Sequence, residues 1–316
     1  MSEGLALDSR QLALALRQLL RDLDPARFRE GLHAAALDRI SEMEARLSAL
    51  ADAARAKQQD LELTERLREV AELLRERVPT APTRVVWMAF RLQLQDAYDS
   101  LCGSLQTWKI HLPPNRPTNY ARNVFHIASG VALLLLLELV LTPTSMIVVA
   151  ASFAVLFWGL ELGRRFVPRL NDLLMGVATS ISHPHERHRV NSGTWYSTAM
   201  VGLALLFSPV ECAIAVIVLG VADPAAAIVG RRYGTTPLVN GRSLQGSVAF
   251  LLVGTAVAFT SLAVFHAAIA WPAALAVAAS AALAGTVAEL FSRRIDDNLS
   301  IPLAAASGAW IVLTLI

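Results

Sequence analysis

From about residue 119 onward the chain alternates long uncharged runs with short arginine-bearing turns, whereas before it apolar residues recur every three or four positions among mixed charges. The later pattern predicts membrane-spanning helices, and the earlier one predicts soluble amphipathic helices. Residues 9–22, "SRQLALALRQLLRD", form one amphipathic segment, ended by Asp24 and Pro25. Ile40, Met43, Leu47 and Leu50 are spaced 3, 4, 3, and Leu63, Leu67, Val70 and Leu74 are spaced 4, 3, 4. Each set is one apolar stripe on a helix, so the two helices should pack as a hairpin or bundle. "VPTAP" closes the second, and a further helix carries Phe90, Leu94, Tyr98 and Leu101 ahead of the proline-rich "HLPPNRP".

Beyond that linker the runs predict spans at about 121–141, 143–163, 192–208, 209–230, 247–268, 271–290 and 300–316. A bilayer core needs about 20 helical residues, so the third and last are short. The expected fold is all-α: a polytopic membrane protein of about seven transmembrane helices preceded by a cytosolic amphipathic helical domain. The domain boundary is expected between residues 117 and 118. Heptad-like stripes in the first domain make a homodimer through its helices one expectation.

Charge fixes an orientation. The turns "LTPTS", "SPVE" and "FHAAIAW" carry no Lys or Arg, while the opposite turns carry Arg122, then Arg164, Arg165, Arg169, Arg187 and Arg189, then Arg231, Arg232 and Arg242, then Arg293 and Arg294. Positive-inside asymmetry puts the N-terminus in the cytosol and the C-terminus on the other side, in the inner membrane if the cell is bacterial. The N-terminus carries an acidic residue and no continuous apolar stretch, so no cleavable signal peptide is expected. The composition agrees with a membrane class: 54% hydrophobic residues in 316, and a mean hydropathy of +0.47. A net charge of +2 with interspersed signs excludes a nucleic-acid binder. Cys102 and Cys212 offer no disulfide framework.

Nearly every ionisable residue of the membrane half lies on the arginine side, so its chemistry should face the cytosol. Asp223 interrupts the apolar "VLGVADPAAAIVGRRYG". A buried carboxylate in lipid costs several kcal/mol unless it is paired or metal-bound. The alternative is helix capping by the Asp223–Pro224 pair. Eight residues separate Asp223 from Arg231, about 12 Å of helix, so it lies just inside the rim. "GRSLQGS", Gly241 to Ser247, resembles a P-loop without its lysine, and no strand precedes it. Backbone amides of that turn, with Ser243, Gly246 and Ser247, could still hold a phosphate at a helix N-terminus, or simply start the helix. In "AELFSRRIDDNLSIPL" the adjacent Asp296 and Asp297 repel each other. A divalent cation with phosphate oxygens would relieve that, as would neighbouring arginines on an exposed turn. "SHPHERHRVNSGTWY" holds His183, His185, Glu186 and His188 without the HExxH spacing of a zinc protease. It reads as a polar rim that binds an anion or positions a hydroxyl, or as a solvated loop.

Taken in order, "ARNVFHIASG", "ELGRR", "HERHRVNSGTWY", "ADPAAAIVGRRYG", "GRSLQGSVAF" and "AELFSRRIDDNLSIPL" resemble the polyprenol/dolichol kinase, phytol kinase and CTP-dependent diacylglycerol kinase family. The resemblance covers about residues 119–316. It implies transfer of the γ-phosphoryl of CTP, or another nucleoside triphosphate, to the hydroxyl of a membrane lipid alcohol, with Mg²⁺ or another divalent ion. By motif position Arg122 and His126 fall in the opening element, where Asn123 stands in place of a frequent lysine. Asp223, Gly230, Arg231 and Gly234 fall in the nucleotide-associated element, and Asp296, Asp297 and Asn298 in the terminal one. On this reading Asp223, Asp296 and Asp297 hold metal, and Arg231, Arg242 and Arg189 neutralise charge on the moving phosphoryl group. Either Glu186 or His126 accepts the hydroxyl proton. Phosphatidate cytidylyltransferases are more distantly similar, which makes cytidylyl transfer the rival within enzymes. A transporter or non-catalytic scaffold is the rival outside them, though no internal repeat and no midplane cluster favours it.

Overall fold

The computed structural model describes residues 3–25, 32–56, 61–79, 81, 83–108, 110, 112, 119–177, 190–292 and 295–316. The chain divides into two compact units, residues 1–118 and 119–316.

The first unit contains α1 (Glu3–Asp22), α2 (Leu32–Ala56), α3 (Leu61–Glu76) and α4 (Arg84–Thr107). Each packs on its neighbour in sequence, and α4 closes the ring on α1. The stripes meet inside: Leu47, Leu63, Leu67, Val70, Leu94, Tyr98 and Leu101 are fully buried. Burying each such leucine stabilises the bundle by about 1.5–3 kcal/mol, which is why a 3–4 spacing of apolar residues suffices to specify it.

The second unit contains α5 (Tyr120–Leu139), α6 (Pro143–Phe166), α7 (Pro168–Val177), α8 (Ser192–Leu206), α9 (Pro209–Ile217), α10 (Asp223–Tyr233), α11 (Leu244–Phe265), α12 (Trp271–Phe291) and α13 (Asp297–Leu313). All the regular elements among the described residues are helical. α9 and α10 are joined through a π-turn, Val218–Ala222, into one rod from Pro209 to Tyr233. That rod, α5, α6, α11 and α12 are long and apolar enough to cross a membrane, which fits an integral membrane protein. α8 and α13 are apolar but shorter, at 15 and 17 residues.

The α9–α10 rod is the axis of this unit. Two thirds of its apolar stretch (67%) is buried within the protein, against 17% for α5 and for α6. α5, α11 and α13 pack around it, α12 packs on α11 and α13, and α6 packs on α8. α5 approaches the π-turn so closely that a Cβ placed on Gly220 would stand 2.8 Å from the Cα of Gly130. Only two glycines permit that crossing.

Several helix starts differ from the apolar runs, for local reasons. α11 begins at Leu244 because the Ser243 side chain caps it, accepting from the Gly246 amide at 3.2 Å. α13 begins at Asp297 because Asp296 caps it, accepting from the Asn298 amide at 3.0 Å. Asp223 is not a cap. Its φ of −63° and ψ of −49° are helical, and the widened π-turn ahead of it carries the rod through Pro224 without a break.

Candidate functional site

The arginine-bearing end of the second unit gathers carboxylates from three helices. Asp223 opens α10 and is half-buried. Arg242 follows two residues with left-handed backbone, Asn240 at φ 56° and Gly241 at φ 77°, which turn the chain sharply before α11. The Asn240 side chain donates to the Leu290 carbonyl at 2.8 Å, pinning this turn to the end of α12. Arg242 Nη1 therefore lies 2.9 Å from Glu289 Oε1, and Nη2 lies 3.7 Å from Asp297 Oδ2. The charges acting on Asp223 are those of Asp297, Arg242, Glu289 and Arg122.

Three carboxylates thus share two guanidinium groups. Glu289 is 3% exposed, and its second oxygen, Oε2, has no hydrogen-bond partner. A buried carboxylate oxygen without a donor is costly, and a cation is the natural partner. Among the described residues no three His, Cys, Asp or Glu side chains converge closely enough to hold a metal by themselves. Mg²⁺ does not require that, because it is usually held by one or two carboxylates together with phosphate oxygens and water. One or two of Asp223, Asp297 and the free oxygen of Glu289 would fit such a role.

Asp296 is engaged differently. It accepts from both the amide and the side chain of Asn298, at 3.0 and 2.8 Å, and Asp297 Oδ1 accepts from the same two groups at 3.0 and 3.2 Å. Burial, and then the charge of Asp297, push the Asp296 carboxyl up to about 6. The turn therefore offers Asp297 Oδ2 towards Arg242, while Asp296 serves the helix start.

The glycine-serine segment is tightly packed. A Cβ on Gly230 would stand 2.9 Å from Ser243 Oγ and 3.4 Å from the Gly246 Cα, so α10 and the start of α11 touch backbone to backbone. Three amides at this turn have partners: Leu244 N donates to the Thr236 carbonyl at 3.0 Å, Gly246 N to Ser243 Oγ, and Ser247 N to the Ser243 carbonyl at 3.0 Å. The Ser243 cap thus engages one of the amides that a phosphate at this helix start would use. The Ser247 hydroxyl remains buried without a partner. Arg231 lies on the last turn of α10, and Gly234 ends that helix, its amide donating to the Gly230 carbonyl at 3.0 Å.

Beside this cluster opens a cleft of about 540 Å³ between α5 and the α6–α8 pair. Its rim is polar, with Arg122, His126, Glu161, Asn191 and Asn298, and its walls below are apolar. Arg122 Nη2 donates to Ser192 Oγ at 3.2 Å. Glu161, 2% exposed, binds Arg164 through two bonds of 2.9 and 3.0 Å, Arg165 at 3.1 Å and the Asn191 amide at 3.2 Å. This network fixes the start of α8 on the end of α6. Asn298 is 3% exposed and lines the cleft, so it joins the carboxylate cluster to the rim.

Asp223, Arg242, Asp297 and Glu289 are thus brought together, and Arg122, His126 and Asn298 stand at the adjoining rim. Glu186, Arg189 and the histidines His183, His185 and His188 lie outside the described residues, as do Arg293 and Arg294. Glu161 was not singled out from the sequence, and Glu289 was read there only as a member of the acidic turn with Asp296 and Asp297, without an assigned role. The available signal was an acid about one helical turn before paired arginines: Glu161 before Arg164 and Arg165, and Glu289 before Arg293 and Arg294.

Among characterised proteins, the chain is similar to the probable phytol kinase 1, chloroplastic, of Oryza sativa subsp. japonica. The two are 28% identical over 211 residues, 61% of this chain and 64% of the relative. It is also similar to the CTP-dependent diacylglycerol kinase 1 of Saccharomyces cerevisiae, 32% identical over 105 residues, 33% of this chain and 36% of the relative. The matches therefore span less than two thirds of either relative's length. At this modest identity, both support the lipid-kinase family that the motifs resemble. No family model matches the chain, and no solved structure matches it.

Proposed function

We propose that residues 119–316 form a membrane kinase that moves the γ-phosphoryl group of CTP onto the hydroxyl of a lipid alcohol at the cytosolic face. The observation that carries this reading is the shared Asp223, Arg242, Glu289 and Asp297 cluster adjoining a long apolar cleft with a polar rim. The cleft is suited to a hydrocarbon tail, and the rim to its hydroxyl. On this reading seven helices span the bilayer, with α8 and α13 as short spans, and the arginine-bearing turns face the cytosol.

A bound divalent ion would offset negative charge on the triphosphate and hold its oxygens in line, with Asp223 and Asp297 as its direct ligands and Asp296 as their neighbour. Arg242 and Arg231 supply positive charge where the γ-phosphoryl group leaves, joined by Arg189. Arg122 and Asn298, at the rim, orient the nucleotide beside the acceptor. His126 lines the rim where the hydroxyl would stand, and is the group assigned to take its proton; Glu186 is the alternative acceptor. The hydroxyl oxygen forms a bond to the γ-phosphorus, the bond to the β-phosphate oxygen breaks, and CDP leaves.

Asp223→Asn tests this directly. Purified variant protein should lose turnover by at least two orders of magnitude and lose its response to added Mg²⁺. A variant with wild-type turnover and wild-type Mg²⁺ dependence would remove Asp223 from the chemistry.

A further inference from the structure

The cleft is closed at the end away from the carboxylates, and its floor is built from packed core. We propose that this floor, formed by Leu137, Leu141, Met146, Leu203 and Cys212, measures the acceptor's hydrocarbon chain and sets an upper limit to its length. This rests on the lipid-kinase reading, because it takes the hydroxyl to lie at the rim.

The depth follows from the helices. Cleft-lining residues run down α5 from Arg122 to Leu137, fifteen residues apart and hence about 22 Å along the axis. α6 lines the opposite wall from Leu160 to Met146, about 21 Å. Below the rim the hydroxyls of Ser129 and Ser197 turn into their own helices, donating to the His126 and Thr194 carbonyls at 3.1 and 2.9 Å. They present no free polar group to the lumen, so the wall suits hydrocarbon.

The upper part is open sideways, since Phe125 and Phe153 line the cleft yet are each 53% exposed. Most of the floor is buried. Leu137, Met146, Leu203 and Cys212 are between 1% and 7% exposed and belong to one core cluster, against which Leu141 packs. Leu141 sits in the tight α5–α6 turn, its amide donating to the Leu136 carbonyl at 2.9 Å. That turn ties the two walls together beneath the cleft.

An extended chain advances about 1.3 Å per carbon–carbon bond. A lumen of about 22 Å thus holds about sixteen to eighteen carbons below a hydroxyl at the rim. A longer chain must displace the floor or leave sideways, and either weakens binding.

The test offers straight-chain primary alcohols, from about ten to about twenty-four carbons, to the full-length protein in nanodiscs. Binding is read as thermal stabilisation without nucleotide, and turnover as transfer of γ-labelled phosphate from CTP. Both should rise with chain length and fall beyond about eighteen carbons. Met146→Ala deepens the floor and should move the fall about two to three carbons longer. Leu141→Trp fills it and should move the fall shorter, so the two variants err in opposite directions if one folds poorly. A steady rise with no fall, or the same cut-off in both variants, overturns the proposal. A binding cut-off without any phosphate transfer sustains the floor and removes the kinase reading. Transfer without a cut-off does the reverse.

Discussion

Gly220→Ala adds one methyl group where α5 crosses the central rod backbone to backbone, and the sign of its effect on stability is diagnostic. In an unobstructed helix, replacing glycine by alanine stabilises by about 0.4–1 kcal/mol, because the unfolded chain loses freedom. At position 220 the new Cβ would stand 2.8 Å from the Gly130 Cα and 3.3 Å from the His126 carbonyl oxygen. Carbon atoms rest at about 3.5–4.0 Å, so α5 must retreat by about 1 Å. Both obstacles are backbone, and no rotamer change relieves them. The net effect should be a loss of about 1–3 kcal/mol. α5 carries Arg122 and His126, whereas Asp223 lies three residues beyond Gly220 on the opposing rod. A misplacement of about 1 Å between groups that must meet around one phosphoryl group costs about 100-fold in rate. The assay is thermal unfolding beside kcat/KM for alcohol phosphorylation, with Gly159→Ala as reference, since a Cβ there meets nothing within 4 Å. If Gly220→Ala raises Tm as Gly159→Ala does and leaves kcat/KM intact, the crossing does not position the site.

Arg242→Gln removes the cation facing Glu289, whose side chain is 4% exposed, and should lower stability by about 3–5 kcal/mol. Adding Glu289→Gln should restore most of that stability but none of the turnover. Glu161→Ala removes the carboxylate paired with the buried Arg164, 7% exposed, and should cost about 3–5 kcal/mol in thermal or denaturant unfolding, with turnover falling as the start of α8 loosens. For Asp296 the folded-state value of about 6 lies above its ordinary 3.8. The folded protein therefore holds this proton more tightly than the unfolded chain, and stability falls as pH rises from about 4 to about 6, by on the order of 3 kcal/mol at most. Unfolding followed across that range in the absence of divalent ions should show the step, and Asp296→Asn should flatten it. An identical step in the variant would assign it to another group.

The five long apolar helices were legible because a bilayer demands about twenty uncharged residues whatever the tertiary contacts. The stripes of the first unit were legible because burial of one helix face imposes its period on the sequence. Asp223 stood out as a carboxylate in an apolar run, but its place inside a continuous helix was not legible: Asp-Pro is also a helix-start signal, and the π-turn that carries the helix past Pro224 leaves no periodic mark. The Arg242–Glu289 pair joins residues 47 positions apart, and its geometry depends on the left-handed Asn240 and Gly241, so no spacing rule reveals it. In "GRSLQGS" the sequence allowed both a capping serine and amides for a phosphate; the Ser243 cap on the Gly246 amide is what the fold adds. The cleft is further still from the sequence, because it depends on α5 packing on the central rod while α6 packs on α8.

The phosphate that moves distinguishes the central claim from its rival most directly. Purified protein, a membrane lipid alcohol, Mg²⁺ and CTP labelled on either the γ- or the α-phosphate should be incubated in parallel, and the extracted lipid counted. A kinase transfers γ-label to the lipid and leaves α-label in soluble CDP. Lipid that carries α-label without γ-label would contradict phosphoryl transfer and assign the site to cytidylyl transfer.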